Sequence, residues 1–261
     1  MWILFLGNKG LKRREKLLAS EIFNRYELKF PMSFASYDKL IERIEPMLIS
    51  DAYGDAHGFY PVTNLYFDTE DNFFHEQNVY REEFRQKLRL RTYEKQVTLD
   101  DTCYLEIKKK YKGRSNKRRT CITLRDAYTF LGIDGAKSEG KIQNSNDLVF
   151  QEIDYFKSFY KLKPKTIISY DRKALHGRED SDIRVTFDKN LRTRTDDLRL
   201  ENGRYGDIFT PDDFVVMEVK VTNCVPKWFV DEIDKLGLVG IKFSKYSQCV
   251  ANALEMNDEE N

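Results

Sequence analysis

The stretch KLRLR, residues 87–91, alternates basic and apolar side chains without a break. Successive side chains of a β-strand point to opposite faces, so Lys87, Arg89 and Arg91 share one face and two leucines share the other. A half-buried strand ordinarily turns its polar face to water. One strand of this kind is therefore weak evidence for a site, and its meaning depends on whether the pattern recurs.

The same alternation recurs in five other stretches, which are RYELKF from Arg25, YLEIKKK from Tyr104, SYDRK from Ser169, IRVTFD from Ile183 and VMEVKV from Val216. Their polar faces hold mostly Arg, Lys and Glu rather than Ser, Thr, Asn or Gln. Because like charges on neighbouring strands repel each other, a sheet that concentrates them is expected to bind an anion. The carboxylates among them indicate a divalent cation as well.

These faces predict an α+β fold in which an antiparallel sheet closes into a β-barrel with a charged lumen, flanked by helices that cover its apolar faces. Such a lumen suits a polyanion bound with a metal ion, because the planar fork of arginine bonds two phosphate oxygens at once. The predicted strands are 23–31, 59–68, 84–93, 102–111, 118–124, 165–172, 182–188 and 214–222, and the predicted helices are 33–48, 71–80, 148–160, 226–236 and 247–256.

Composition limits the other classes of function. The chain has 44 Lys and Arg against 43 Asp and Glu, so its formal net charge of +1 does not indicate a generally basic nucleic-acid binder. Four cysteines without a CxxC pair and only three histidines argue against a zinc site. No run approaches the roughly 18 apolar residues of a membrane-spanning helix. We therefore expect a soluble, cytoplasmic protein, with residues 1–20 as an N-terminal appendage and residues 257–261 as an acidic tail.

Eight short motifs occur in the order RYELKF, YFDT, KLRLR, LEIKKK, SYDRKAL, IRVTFD, MEVK and KFSKY, between about Arg25 and Gln248. In this order they resemble the VTC domain, the polyphosphate polymerase branch of the triphosphate tunnel metalloenzymes, in the CYTH-like superfamily. The resemblance implies one domain over residues 21–256, an eight-stranded antiparallel tunnel that binds triphosphate and metal in its centre. Arg25 replaces the first glutamate of the ExExK motif found in relatives, which favours the polymerase branch over the triphosphatase branch.

The resemblance also implies roles for individual residues. Those implied to be catalytic are Arg89, Arg91, Lys108, Arg172, Arg184 and Glu218. Those implied to bind phosphate are Arg25, Lys29, Lys87, Tyr170, Lys220, Lys242, Ser244 and Lys245. Glu27, Glu106 and Glu218 are implied to hold Mg²⁺ or Mn²⁺, with Glu106 either a ligand or a neighbour of one.

Other polar residues are expected to have structural roles. Residues 113–119 are predicted to be a solvated hairpin tip, and the alternative is a basic lip at the tunnel mouth. Asp188 is expected to partner a tunnel arginine rather than to bind metal. Asn64, Tyr66 and Asp68 share one strand face and are expected to form tunnel wall. The three histidines are expected to be surface or loop residues without a catalytic role.

The function that the resemblance implies is metal-dependent transfer of the terminal phosphate of ATP to a growing polyphosphate chain. Two alternatives stay open, which are hydrolysis of triphosphates in the same tunnel and non-catalytic sensing of polyphosphate. The expected partners are ATP and polyphosphate, without nucleic acid. A separate membrane protein is a further expected partner if synthesis is coupled to export.

Overall fold

The computed structural model describes residues 23–133, 140, 142–180 and 182–259. The predicted appendage of residues 1–20 lies outside these residues, as do the last two residues of the predicted acidic tail. No helix in the described part of the chain combines the length and the apolar character needed to span a bilayer.

Ten strands in the described residues form one antiparallel sheet, and eight of them close into a ring. The strands are β1 (Phe23–Met32), β2 (Leu48–Ser50), β3 (Phe59–Asp68), β4 (Phe84–Thr92), β5 (Thr102–Tyr111), β6 (Arg114–Thr123), β7 (Lys163–Gly177), β8 (Arg184–Arg194), β9 (Asp207–Ile208) and β10 (Val215–Val221). The ring runs β7, β3, β4, β5, β6, β1, β10, β8 and back to β7, whereas β2 and β9 lie at its margins. The ring therefore brings strands from both halves of the chain around one axis.

The helices of the described residues are α1 (Phe34–Ile44), α2 (Phe73–Val79), α3 (Leu124–Leu131), α4 (Asp147–Tyr160), α5 (Lys227–Lys235) and α6 (Lys245–Glu259). Short polar residues begin several of them, because a side-chain oxygen can accept from a backbone N–H of the first turn that has no partner within the helix. The Ser33 side chain accepts from the Ser36 N–H at the start of α1. Thr123 and Asn146 cap α3 and α4 in the same way.

The apolar faces of the strands pack outward against helices. Leu88, Leu90, Leu105 and Ile107 of β4 and β5 form one core cluster with buried side chains of α3 and α4. A second cluster joins β8 and β10 to α1 and α5. These contacts confirm the prediction that helices cover the apolar faces of the strands. They also explain why KLRLR can direct its cations to the opposite side of the sheet.

One sector of the inner face is apolar, which the sequence pattern did not predict. Val62, Ile168 and Val216 lie on the same strand faces as residues that line the cavity, yet they are buried against Tyr246 and Cys249 of α6. Helix α6 thus packs across the inner faces of β3, β7 and β10. This packing brings the start of α6, with Lys245 and Tyr246 of the KFSKY motif, to the edge of the cavity.

The predicted solvated hairpin tip at 113–119 is wrong. Lys112 and Gly113 both adopt positive φ angles, 45° and 84°, as the two-residue turns that favour tight hairpins require. Strand β6 therefore begins at Arg114 rather than at 118. Ser115, Lys117 and Arg119 alternate along it and line the cavity. The prediction placed these residues in solvent because it treated residues 113–119 as a loop, whereas the chain turns at Lys112 and Gly113.

Other boundaries differ by a few residues. Strands β7 and β8 extend beyond their predicted ends, and α1 stops at Ile44 before a short 3-10 turn. Helix α6 begins two residues earlier than predicted and continues to Glu259. His75 is buried in α2, whereas the sequence pattern placed it at the surface. These differences leave the faces of the strands unchanged, because the period-2 pattern does not depend on where a strand ends.

Leu90 gives a test of where the core lies. Its side chain is fully buried under α3 and α4, so Leu90→Ala should lower the free energy of unfolding by about 2–5 kcal/mol, measured by urea denaturation. Leu148→Ala is the matched control, because Leu148 on α4 is 71% exposed and its loss should change stability by less than about 0.5 kcal/mol. Equal effects of the two substitutions would contradict a core on the outer side of the ring.

Candidate functional site

The ring surrounds a cavity of about 1530 Å³. Its lining includes seventeen Lys and Arg side chains and five Asp and Glu side chains among the described residues, although the whole chain has a net charge of only +1. Every predicted site residue except Glu106 lines it, namely Arg25, Glu27, Lys29, Lys87, Arg89, Arg91, Lys108, Tyr170, Arg172, Arg184, Glu218, Lys220, Lys242, Ser244 and Lys245. The cavity therefore concentrates positive charge that the rest of the surface balances.

Several lining residues had no predicted site role, namely Tyr60, Arg85, Tyr93, Tyr104, Lys110, Lys117 and Arg119, whereas Tyr66 lines the cavity as expected of tunnel wall. Arg85 extends the alternation of KLRLR by one step and could have been found by following the period further. Lys110 was already placed on the polar face of YLEIKKK, although no site role was predicted for it. Lys117 and Arg119 required the hairpin turn to be placed correctly. The tyrosines carry no charge signal in the sequence.

Glu106 is enclosed by cations and has no exposed surface. Arg89 donates to its Oε2 from Nε at 2.7 Å, and Lys117 donates to its Oε1 at 3.1 Å. Arg91 Nε lies 3.7 Å from the same carboxylate. Burial opposes ionisation, but Lys117, Arg89 and Arg91 outweigh it and hold the pKa of Glu106 well below its usual range. Both oxygens are thus engaged, and Glu106 orients Arg89 and adds a nearby counter-charge for Arg91.

Asp188 plays the same part on the opposite side of the ring. Arg172 donates to both of its oxygens, from Nε at 2.6 Å and from NH2 at 2.8 Å. Lys245 Nζ donates to Oδ2 at 2.6 Å. Burial raises the pKa of Asp188, but Arg172 and Lys245 outweigh burial and lower it far below its usual range. The prediction that Asp188 partners an arginine is confirmed.

Glu27 and Glu218 are the carboxylates that face the cavity centre. Lys108 Nζ donates to both oxygens of Glu27, at 2.9 and 2.6 Å, and Lys220 Nζ lies 2.8 Å from Glu218 Oε1. They occupy adjacent strands, with Glu218 opposite Lys29 in the register of β1 and β10. Burial opposes ionisation of Glu218, but Lys220 and Lys29 outweigh it and keep its pKa well below the usual range.

This carboxylate pair fits a hard divalent cation. Mg²⁺ in proteins commonly binds through one or two carboxylates, with waters and substrate phosphates completing its shell. Two ionised carboxylates on adjacent strands, Glu27 and Glu218, meet that requirement. Within the described ranges no group of three or more His, Cys, Asp or Glu is placed to hold a metal by itself. A metal ion here would therefore depend on phosphate oxygens for part of its coordination.

Two lysines are held in an unfavourable electrostatic environment. Lys29 Nζ donates to the Phe243 carbonyl at 2.6 Å, and Lys87 Nζ donates to Ser244 Oγ at 2.6 Å. Burial lowers the pKa of Lys29 to about 8, with a further contribution from the nearby cation Lys245. Burial lowers the pKa of Lys87 to about 7, together with the cations around it. Both lysines would gain from an anion in the cavity.

Ser244 and Tyr170 are also placed to meet an anion. Ser244 Oγ accepts from Lys87 and, at 3.3 Å, from the Ser247 backbone N–H of the first turn of α6. Its own hydroxyl proton is thus left to donate elsewhere. Burial favours the neutral phenol of Tyr170, but Arg172 and Arg91 outweigh it and lower the pKa of Tyr170 to about 8. The positive potential of the surrounding arginines therefore stabilises the ionised form of the Tyr170 phenol.

The remaining predicted residues lie toward the margins of the cavity. Arg184 donates to Asp51 at 2.8 Å and its side chain is 42% exposed. Lys242 is exposed and Arg25 is half-buried. The predicted site residues therefore form a buried centre and a more exposed periphery around one cavity.

The family model of the VTC domain matches residues 24–254. The chain belongs to the VTC domain family. A Trypanosoma brucei brucei protein named vacuolar transporter chaperone complex subunit 4 is 23% identical over 279 residues, which cover 90% of this chain and 35% of that protein. The protein of the same name from Trypanosoma cruzi is 23% identical over 278 residues, with the same coverage. The chain thus spans about a third of the length of these curated relatives.

The fold of this VTC domain resembles that of a solved structure. A Bacillus halodurans protein, provisionally described as an adenylate cyclase, superimposes with a TM-score of 0.52. The two sequences are 13% identical, and the match covers 86% of this chain and 95% of the other. At that identity the likeness concerns the fold alone.

Glu106→Gln tests whether the buried carboxylate stabilises the VTC domain. The isosteric amide leaves Arg89, Arg91 and Lys117 without their shared counter-charge, so the free energy of unfolding at pH 7 should fall by roughly 3–5 kcal/mol. Because the folded-state pKa of Glu106 is depressed, its contribution is present above the ordinary value of 4.5 and is lost as the pH falls through the folded value. As the pH falls from about 5 to about 3, the free energy of unfolding of the variant should therefore decrease less than that of the wild type, as measured by urea denaturation.

The matched control is Glu42→Gln, because Glu42 is an exposed residue of α1. It should leave both the stability at pH 7 and its pH dependence close to those of the wild type. Parallel pH profiles for Glu106→Gln and the wild type would contradict the assignment of Glu106 as the counter-charge of the KLRLR arginines.

Proposed function

We propose that this VTC domain is a polyphosphate polymerase that transfers the terminal phosphate of ATP to a growing polyphosphate chain within its charged cavity. The observation that carries the proposal is the convergence of Lys and Arg side chains from β1, β4, β5, β6, β7, β8 and β10 on one cavity. A linear chain of phosphates is a ligand of matching charge and needs no recognition of bases. Membership of the VTC family supports the same substrate class.

The reaction needs no serine or cysteine nucleophile. The acceptor is a terminal phosphate oxygen that is already ionised, so the main barrier is repulsion between two polyanions. Arg89, Arg91 and Arg172 are held in place by buried partners, and groups fixed before the reaction stabilise developing charge without reorganisation. The residues present thus align the two phosphates and neutralise them.

Glu27 and Glu218 are the residues that would hold Mg²⁺ or Mn²⁺. A divalent ion at this point supplies charge neutralisation on the transferring phosphate oxygens and orients them. Glu106 is better assigned as the residue that orients Arg89, because it is fully buried and does not line the cavity, whereas Glu27 and Glu218 do.

The relatives' name refers to a transporter chaperone complex. This supports the further proposal that the domain works beside a membrane component that carries the product.

The direct test is an assay of the purified protein with ATP and Mn²⁺. We expect release of ADP together with growth of chains that stain as polyphosphate on a gel. Glu218→Ala should abolish the metal-dependent turnover, because it removes one of the two cavity-lining carboxylates that would hold the metal ion. Glu42→Ala, an exposed change on α1, is the matched control and should retain activity.

Two other results would each overturn the proposal. ADP and orthophosphate without longer chains would identify a hydrolase that uses water as the acceptor. Tight binding of polyphosphate without any turnover in the wild type would identify a sensor.

A second prediction follows from Lys29 and Lys87, whose pKa values are about 8 and about 7. At about pH 8.5 Lys87 is mostly neutral, and a bound polyanion favours its charged form. Binding of tripolyphosphate should therefore take up protons, and its affinity should fall as the pH rises from about 7 to about 9. Calorimetry in two buffers of different ionisation enthalpy measures the uptake.

Lys87→Met isolates the contribution of the lysine, because the titration of the ligand itself is common to both proteins. The variant should take up fewer protons than the wild type. Lys39→Met, an exposed change on α1, should take up as many as the wild type. Equal uptake by Lys87→Met and the wild type would contradict the lowered pKa of Lys87 as its source.

A further inference from the structure

Two motifs far apart in the chain meet through a buried hydrogen bond. The Tyr246 hydroxyl of the KFSKY motif donates to Asp68 Oδ2 of the YFDT motif at 2.6 Å. Tyr246 is 2% exposed and Asp68 is not exposed at all. Burial raises the pKa of Tyr246, and the Asp68 carboxylate raises it further, so the phenol remains a donor. This bond attaches the first turn of α6 to the end of β3.

Asp68 is already fixed by the backbone around it. Its Oδ1 accepts from the N–H groups of Thr69 and Phe74 at 2.8 and 2.9 Å, and its Oδ2 accepts from that of His75 at 3.1 Å. The carboxylate thus binds the end of β3 to the first turn of α2. It presents Oδ2 to Tyr246 from a position that cannot shift without breaking these bonds.

Tyr246 in turn contacts the residues that surround the phosphate-binding centre. Its ring stacks on Tyr66 with centroids 5.2 Å apart, and the Tyr66 hydroxyl accepts from Arg89 at 3.2 Å. Lys87 Nζ lies 5.5 Å from the centroid of the Tyr246 ring and donates to Ser244. Tyr246 therefore packs beside Lys87 and, through Tyr66, supports Arg89. It also belongs to the same turn as Ser244 and Lys245.

We infer that Asp68 and Tyr246 are positioning residues that hold the first turn of α6 against the cavity, so that Ser244 and Lys245 stay directed at the phosphates. Neither residue need touch the substrate to act. The inference rests on the proposed function, because it assigns a role within the same site. It also gives Asp68 a part beyond that of tunnel wall, which the strand alternation alone assigned to it.

Tyr246→Phe tests the inference with little change of shape. It removes the hydroxyl and keeps the stacked ring. Because Ser244 and Lys245 bind phosphate before and during transfer, their loosening should raise KM for ATP and Kd for tripolyphosphate by roughly tenfold. The turnover number should change by less than about threefold. Steady-state kinetics and calorimetry measure the two quantities.

Tyr128→Phe is the matched control. The Tyr128 hydroxyl is likewise buried, donating to Glu201 at 2.7 Å and accepting from the Leu200 N–H at 2.6 Å, but it belongs to the outer core. Its loss should lower thermal stability at least as much as Tyr246→Phe and leave KM unchanged. A KM for Tyr246→Phe equal to that of Tyr128→Phe would overturn the inference.

A double-mutant cycle tests whether the two residues act through their shared bond. Asp68→Asn places an amide beside the phenol, and combining it with Tyr246→Phe should raise Kd for tripolyphosphate no further than the more severe single change. Additive effects would overturn the inference. If Asp68→Asn fails to fold, the comparison of Tyr246→Phe with Tyr128→Phe still decides.

The proposed function fails separately from the inference. A wild-type protein that binds tripolyphosphate without extending chains contradicts the polymerase, and the affinity comparison still tests the two positioning residues. A wild type that does not bind tripolyphosphate overturns both.

Discussion

The structure depends on the neutralisation of a dense set of cations by buried carboxylates. Like charges on adjacent strands repel, and the ring places many of them around one cavity. Glu106 and Asp188 offset this repulsion, since each is fully buried and each accepts from an arginine and a lysine. Without them the ring would enclose uncompensated charge. The same contacts hold the arginine side chains in defined positions, so neutralisation and preorganisation have one origin.

The ring reverses the usual arrangement of a small closed sheet, and helices make the reversal stable. Its outer faces are apolar and are covered by α1, α3, α4 and α5. Its inner face is mostly charged or polar, except where α6 packs against Val62, Ile168 and Val216. That apolar sector anchors α6, whose first turn must approach the cations closely. A wholly charged inner face would give α6 nothing to bury.

Alternation along single strands predicted most of the site residues that line the cavity. Arg89, Arg172 and Glu218 follow from a period of two, and no tertiary information is needed for that step. Lys117 and Arg119 were missed because the turn at Lys112 and Gly113 sets the phase of β6, and its positive φ angles are not evident from a polar segment. The partners of each charge could not be predicted, since pairing depends on the order of the strands in the ring.

Contacts across long sequence separations were beyond the same reasoning. Asp68 and Tyr246 are 178 positions apart, and no local pattern relates them. Each looks structural by itself, one as the end of a strand and the other as an aromatic residue in a helix. Their significance arises only when α6 is placed on the inner face. The apolar sector of Val62 and its neighbours was hidden for the same reason, because apolar residues inside a charged face suggest nothing by themselves.

The cations of the cavity fall into two classes that explain how a rigid frame can also respond to a ligand. Arg172 and Arg89 have carboxylate partners at hydrogen-bond distance and keep their charge. Lys29 and Lys87 donate instead to a carbonyl and a hydroxyl, which carry no full charge to offset theirs. Burial lowers their pKa values, and no hydrogen-bonded carboxylate offsets it. An entering polyanion supplies the missing charge, so it should stabilise the folded chain, and more so the tighter it binds. The lysines rather than the arginines are the groups whose protonation state changes on binding.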